Sequence, residues 1–389
     1  FFKQKTAYEI STRDWSSDVC SSDLSATHYA SWSRGASHSQ SLCSMFRINF
    51  FTWLGAIGIT LIVLISNVSD PINGLFYQPE NWPKPTYNFE KNPLSARGFE
   101  LGRALFYDPI LSRDSSVSCA SCHLQYTAFA HVDHPTSHGI ESRVGKRNAP
   151  GLMNLAWYPY FHWDGGVLGL NGQAVNPIIH PDEMGSSIQA VLKKLNTNTN
   201  YRAHFQEVFN TSEIKSHHLL KALAQFTSSL VSANSKYDQM IRKEISFTAQ
   251  EQQGYKLFKK YCAQCHTEPL FSNFAFEANG IGPNPNGLDS GRASITGKTK
   301  DLFLFRVPSL RNVEYSFPYM HDGRIAKLKA VIHHYATPEQ WKNPISEKLK
   351  RKKISLSAND EKDLLAFLKT LTDKEFLFNP AFEYPRTKK

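Results

Sequence analysis

Apolar positions along this chain recur mainly at three- and four-residue spacing, and alternating stretches are few and short. The pattern predicts a mainly α protein. Phe50–Ile65 is an unbroken apolar run, preceded by Arg47 and followed by polar Ser66-Asn67-Val68-Ser69-Asp70. Residues 71–93 are rich in proline and aromatics and read as an extended surface segment. Pro93-Leu94-Ser95 then opens a helical pattern that puts Leu101, Leu105 and Phe106 on one face. Residues 124–146 read as a loop carrying His131, His134 and His138. Beyond Glu183 the spacing predicts amphipathic helices over 186–209 and 213–233, the latter with Leu219, Leu220, Leu223 and Phe226 inward. Another helix starts at Thr248, an N-cap with Glu251 three residues on, and carries Leu257 and Phe258. Residues 279–292, rich in Gly, Pro and Asn, read as a loop, and a last helix is predicted over 357–371. Between them Leu328, Val331, Ile332 and Tyr335 fall at i, i+3, i+4 and i+7, so Tyr335 points inward from a helix.

The start of the chain has a different character. Phe1 to Leu24 resembles a translated sequencing adaptor, and residues 1–44 are read as an artefactual or disordered leader. Met45 then looks like the true start, and residues 45–66 read as a secretion signal or an uncleaved membrane anchor. A buried core helix is the structural alternative for that run. Residues 67–92 form a linker, which leaves 93–245 and 246–389 as two domains of sufficient size for proper cores. The formal charge of +10 suits an acidic redox partner or an anionic surface, although the basic run Lys348 to Lys353 supplies part of it. No nucleic-acid motif, phosphate-binding glycine loop or low-complexity tract occurs.

Cysteine usage narrows the chemistry. Cys20 and Cys43 lie in the leader, and the other four stand in Cys119-Ala120-Ser121-Cys122-His123 and Cys262-Ala263-Gln264-Cys265-His266. A C-x-x-C also serves zinc and dithiol sites. The histidine that follows, and the second copy, point instead to two covalently bound c-type haems. Two thiols on one turn add to the two vinyl groups, and the adjacent imidazole ligates the iron. No thiol remains for a disulfide framework, and haem of this kind is attached outside the cytoplasm.

The stretch after each motif also repeats. Arg147-Asn148-Ala149-Pro150-Gly151-Leu152-Met153-Asn154 and Pro159-Tyr160-Phe161-His162-Trp163-Asp164-Gly165 stand in the first half. Arg306-Val307-Pro308-Ser309-Leu310-Arg311-Asn312 and Pro318-Tyr319-Met320-His321-Asp322-Gly323 stand in the second. Both read P-x-L-x-N, then P-Y-x-H, then D-G, which indicates duplication of a haem domain. The copies part at two places. The first has the extra Trp163. Thirteen residues after Asp164 stands Pro177, whereas thirteen after Asp322 stands Tyr335. A phenol can ligate iron and a proline cannot, so one haem would be closed and the other open. An ordinary core tyrosine is the alternative for Tyr335, and His333, His334 and Met320 are rival ligands.

Together these motifs, with the N-P-x-x-x-P-x-E-M-G run, resemble the bacterial di-haem cytochrome c peroxidase family, which includes the methylamine-utilisation protein MauG. The resemblance covers residues 93–372. It implies two cytochrome-c-like domains, the active site at the N-terminal haem and the electron-accepting haem in the C-terminal domain. It further implies that Trp163 relays electrons between the haems, and that Gln173, Pro177 and Glu183 line the peroxide pocket. A calcium ion would sit between the domains, with Asn148 and the Arg306–Pro308 backbone as ligands. Tyr335 matches the MauG arrangement, whereas His138-Gly139 resembles the His-Gly that caps the peroxidatic haem of many peroxidases.

The expected activity is periplasmic reduction of hydrogen peroxide with electrons from a small cytochrome c or cupredoxin. His123 supplies the proximal bond. Glu183 moves the proton, provided a dry pocket raises its pKa. A cap on the helix that begins near Ser186 is the structural alternative for Glu183, and a core position is that for Trp163. Competing functions are MauG-like oxidation of an organic or protein substrate, and a non-enzymatic di-haem carrier. A membrane tether through residues 50–65 and a homodimer are further expectations.

Overall fold

The computed structural model describes residues 75–385, apart from 283–286, 288, 339–340 and 342–344. The leader and the apolar run Phe50–Ile65 lie outside the described residues. Among the described residues no helix is long and apolar enough to cross a membrane.

The chain is mainly helical, as the pattern predicts. In order, the helices are α1 Ala96–Tyr107, α2 Cys119–Cys122, α3 Leu170–Gln173, α4 Val175–Ile179, α5 Ile188–Thr197, α6 Thr199–Phe209 and α7 Ser216–Ser228. They continue as α8 Lys236–Ile241, α9 Ala249–Tyr261, α10 Ala293–Thr296, α11 Leu328–Ala336, α12 Glu347–Lys352, α13 Ala358–Lys369 and α14 Lys374–Leu377. One antiparallel pair of short strands, β1 Phe276–Glu277 and β2 Phe305–Arg306, matches Phe276 with Arg306.

Each half is built on one close helix crossing. α1 begins where the Ser95 hydroxyl accepts from the Gly98 amide at 3.0 Å, and it buries Leu101, Leu105 and Phe106 against α7. Gly102 makes that contact possible, because a Cβ there would lie 2.1 Å from the Ala222 carbonyl oxygen. In the second half α9 packs on α13, and a Cβ on Gly254 would lie 1.9 Å from the Asp363 carbonyl oxygen. The predicted start of α9 is present as a reciprocal cap: Thr248 accepts from the Glu251 amide at 3.2 Å, and Glu251 accepts from the Thr248 amide at 2.8 Å.

Two apolar cores result. The first gathers side chains from Phe99 to Leu230 and also takes in Phe376, Leu377 and Phe382. The second runs from Tyr237 to Leu371. A smaller cluster of Trp82, Ala156, Trp157, Ala233 and Leu270 draws on both halves. The segment before α1 is anchored there, with the Trp157 indole donating to the Pro83 carbonyl at 2.7 Å.

The helix expected over 186–209 is two helices. Asn198 adopts an extended conformation, and its side-chain oxygen accepts from the amides of Asn200 and Tyr201, so it starts α6 instead of continuing α5. The helix expected over 213–233 stops at Ser228, where the Ser228 and Ser229 hydroxyls donate back to the Gln225 carbonyl.

Candidate active site

Two cavities lie beside the two C-x-x-C-H turns. The first, about 650 Å³, is lined by Cys119, Cys122 and His123 together with Trp163, Gln173, Pro177 and Glu183. The second, about 230 Å³, is lined by Cys262, Cys265 and His266 with Met320 and Tyr335.

The two histidines are held alike. His123 Nδ1 sits 2.6 Å from the Phe129 carbonyl oxygen, and His266 Nδ1 sits 3.2 Å from that of Phe271 and 3.1 Å from that of Pro308. Both phenylalanines take left-handed backbone conformations, φ 57° and 53°, which turn their carbonyls onto the imidazoles. With Nδ1 donating, Nε2 remains the lone-pair atom, as in second-shell orientation of a metal-ligating histidine. Burial pushes both imidazoles down to about 4, so they stay neutral, the ligating form. Burial also pushes the Cys119 and Cys262 thiols up to about 12.

Glu183 stands on the turn between α4 and α5. Burial holds its carboxyl above the usual range, against a lowering influence from His180. It does not cap α5, since the Ser187 hydroxyl accepts from the Ala190 amide at 3.1 Å. Pro177 lies in the first turns of the short helix α4, where a missing N–H costs little.

Trp163 lines both cavities. Its indole is buried and donates to the Asn148 carbonyl at 2.8 Å, while its own carbonyl accepts from the Arg306 amide at 2.7 Å.

His138 is exposed and does not line the first cavity, although Ser137 and Gly145 of the same loop do. Its ring lies 4.7 Å from that of His134. The loop nonetheless touches the Glu183 turn, with the Ile140 amide donating to the Glu183 carbonyl at 2.8 Å.

Residues 96–246 match the family described as di-haem cytochrome c peroxidase. The methylamine utilization protein MauG of Methylorubrum extorquens is 35% identical over 306 residues, spanning 76% of this chain and 83% of that protein. The chain belongs to the di-haem cytochrome c peroxidase family. It is an oxidoreductase of the cytochrome-c peroxidase type. The cytochrome c551 peroxidase of Nitrosomonas europaea is 33% identical over 303 residues, spanning 75% of this chain and 84% of that protein. A crystal structure described as a MauG-like protein associated with microbial copper homeostasis matches with a TM-score of 0.71 at 32% identity, covering 79% of this chain and 98% of that one.

A di-haem peroxidase requires two haem sites, and the donor sets of both cavities fit one: a paired thiol turn and a neutral imidazole whose Nδ1 is already engaged. The first volume falls within the ordinary range for cofactor sites, and the second is tighter. Among the rival ligands for the second haem, Met320 shares the cavity with Tyr335. His334 Nε2 instead sits 2.9 Å from the Asn279 carbonyl oxygen, and the exposed His333 faces Glu361 at 3.2 Å. Burial and the neighbouring Cys262 and Cys265 raise the Tyr335 pKa, while the Asn279 side-chain amide donates to the Met320 sulfur at 3.3 Å.

Two of the three backbone carbonyls named as calcium ligands already have partners within the chain. That of Val307 accepts from the Ser272 hydroxyl at 2.6 Å and that of Pro308 faces His266, while the Asn148 amide donates to Pro135 at 3.1 Å. Among the described residues no group of three or more His, Cys, Asp or Glu side chains is arranged to hold a metal ion. The peroxidase cavities also contain a residue that the motifs did not single out by its side chain. Arg306 lines both, and only its backbone figured in the repeat.

Proposed function

We propose that this protein reduces hydrogen peroxide to water in the periplasm, taking electrons from a small cytochrome c or a cupredoxin. One observation carries the reading: His123 and the Cys119–Cys122 turn share a cavity with Glu183, whose carboxyl burial holds above its usual range. The name of the Nitrosomonas europaea relative, a cytochrome c551 peroxidase, supports the same substrate and donor class.

In this reading the chain forms two haem domains over 93–245 and 246–389, with thioether links at Cys119, Cys122, Cys262 and Cys265. His123 and His266 would hold the irons, each with Nδ1 already engaged by a backbone carbonyl. When bound, haem supplies the redox chemistry of oxygen–oxygen cleavage. The chain's own residues manage protons and access. The Glu183 carboxylate takes the proton from one peroxide oxygen and delivers it to the other, which departs as water. A poorly hydrated pocket suits that carboxyl to hold a proton near neutral pH. The Gln173 amide can donate to peroxide oxygen, and Pro177 brings no ligating atom into the cavity. Trp163, bordering both cavities, is the path between the two centres. In balance, one peroxide, two protons and two electrons give two waters. No role for calcium is proposed, and exposed His138 is not assigned to the iron.

Steady-state peroxide consumption with reduced cytochrome c tests this reading. Oxidation of two cytochromes per peroxide supports it, and absence of turnover in a fully haem-loaded protein contradicts it. Tyr335 favours a second reading, MauG-like oxidation of an organic or protein substrate. That reading predicts slow turnover with the same donor.

A further inference from the structure

Two arginines five residues apart are buried in this chain, and their surroundings differ. Arg311, 0% exposed, places Nη1 and Nη2 each 2.8 Å from the Asp238 carboxylate, with Nε 2.9 Å from the Pro269 carbonyl oxygen. That is a complete ion pair with the fork geometry an arginine offers.

Arg306, 4% exposed, has no such acid among the described residues. Its Nε donates to the His162 carbonyl at 3.2 Å, and the guanidinium lies over the Tyr158 ring at 4.8 Å. Nη1 is buried and has no hydrogen-bond partner. An isolated buried charge is unfavourable because it loses its hydration, and a buried donor without an acceptor adds to that penalty. Burial accordingly lowers the Arg306 pKa. The His162 carbonyl and Tyr158, through its ring and its phenol, offset part of that cost, but among the described residues none brings a counter-charge to Nη1, which leaves room for an anion from outside the polypeptide. The residue is placed to receive one, because it borders both cavities. His162 Nε2, also buried and without a partner, borders the first.

We infer that Arg306 is the counter-ion of a haem propionate, binding that carboxylate through the free Nη1 where the two cavities adjoin. The inference rests on the di-haem reading. It adds a residue that fixes haem orientation and charge balance and does not itself ligate iron. A guanidinium facing the propionate offsets negative charge close to the iron and so favours the ferrous form.

The test uses the holoprotein, with haem counted by the pyridine haemochrome assay and potentials measured by spectroelectrochemical titration. A wild-type count below two haems defeats the di-haem reading before Arg306 is considered. With two present, Arg306→Gln shifts the reduction equilibrium of at least one haem tenfold or more toward ferric, 59 mV for one electron. Arg306→Lys keeps the charge and recovers most of that shift. Unchanged potentials in a fully loaded Arg306→Gln protein overturn the inference. If Arg306→Gln loses haem, the lysine variant decides: potentials near wild type support the inference, and a shift of tenfold or more overturns it. Loss of haem from both variants assigns Arg306 to chain packing alone and also overturns it.

Discussion

The Trp163 indole donates to the Asn148 carbonyl at 2.8 Å, and both residues border both cavities. The first repeat's extra residue therefore stands in the wall between the two C-x-x-C-H turns. Trp163→Phe keeps an aromatic ring but leaves the Asn148 carbonyl without that donor, at a cost of about 1–3 kcal/mol. We expect an unfolding free energy lower by that amount, unchanged haem content and slower peroxide turnover with an external donor. Wild-type turnover in the variant would show that Trp163 is only core.

Glu183→Gln keeps the shape of the cavity and removes the proton carrier. Turnover should fall on the order of 10²–10⁴-fold with both haem spectra nearly unchanged. Because burial raises the Glu183 pKa, the acid limb of the wild-type kcat/KM profile should lie above the ordinary glutamic acid range. The sign for stability follows: a raised folded-state pKa favours folding at low pH, and that contribution fades as pH rises through the folded pKa. An acid limb that persists in Glu183→Gln would assign the titration elsewhere.

At the second cavity the choice lies between Tyr335 and Met320. Tyr335→Phe should open the C-terminal iron, giving a high-spin signal and an additional cyanide site, while Tyr335→Met should raise that haem's potential. An unchanged C-terminal spectrum in Tyr335→Phe, with a changed one in Met320→Leu, would transfer the ligand role to the methionine.

Asp238 and Arg311 make the sharpest stability prediction. Burial raises the Asp238 pKa, but the hydrogen bonds and charge of Arg311 outweigh it, so the carboxyl ends below its usual range. Its stabilisation is present above the unfolded pKa and is lost as pH falls through the folded one. Asp238→Asn leaves Arg311 buried without its counter-charge and should cost about 3–5 kcal/mol. Thermal unfolding between neutral and acid pH reads both effects, and a Tm within a degree of wild type would contradict them.

The sequence made the helices legible where one face is apolar. Leu101, Leu105, Phe106, Leu219, Leu223 and Phe226 are all buried as their spacing implies, whereas Leu220, named with them, is half-buried. The break at Asn198 was not legible, because the apolar spacing runs across it and only the asparagine's cap distinguishes two helices from one. Short α3 and α4 carry too few residues to show a period, yet they bring Gln173 and Pro177 to the cavity. Gln173 and Glu183 were named from family likeness and Trp163 and Pro177 first from the repeat, and all four line the cavity that holds His123. His138 is not among them. Arg306 escaped notice because an unpaired buried charge is a tertiary property: in sequence it differs little from Arg311.

Every step proposed above needs two haems held by two thiol turns, and their number can be counted. Pyridine haemochrome and in-gel haem staining of the purified protein should give two covalently bound haems per chain. Cys122→Ser and Cys265→Ser should each remove one. A single haem in the wild type, or two retained after either substitution, would contradict attachment at both thiol turns.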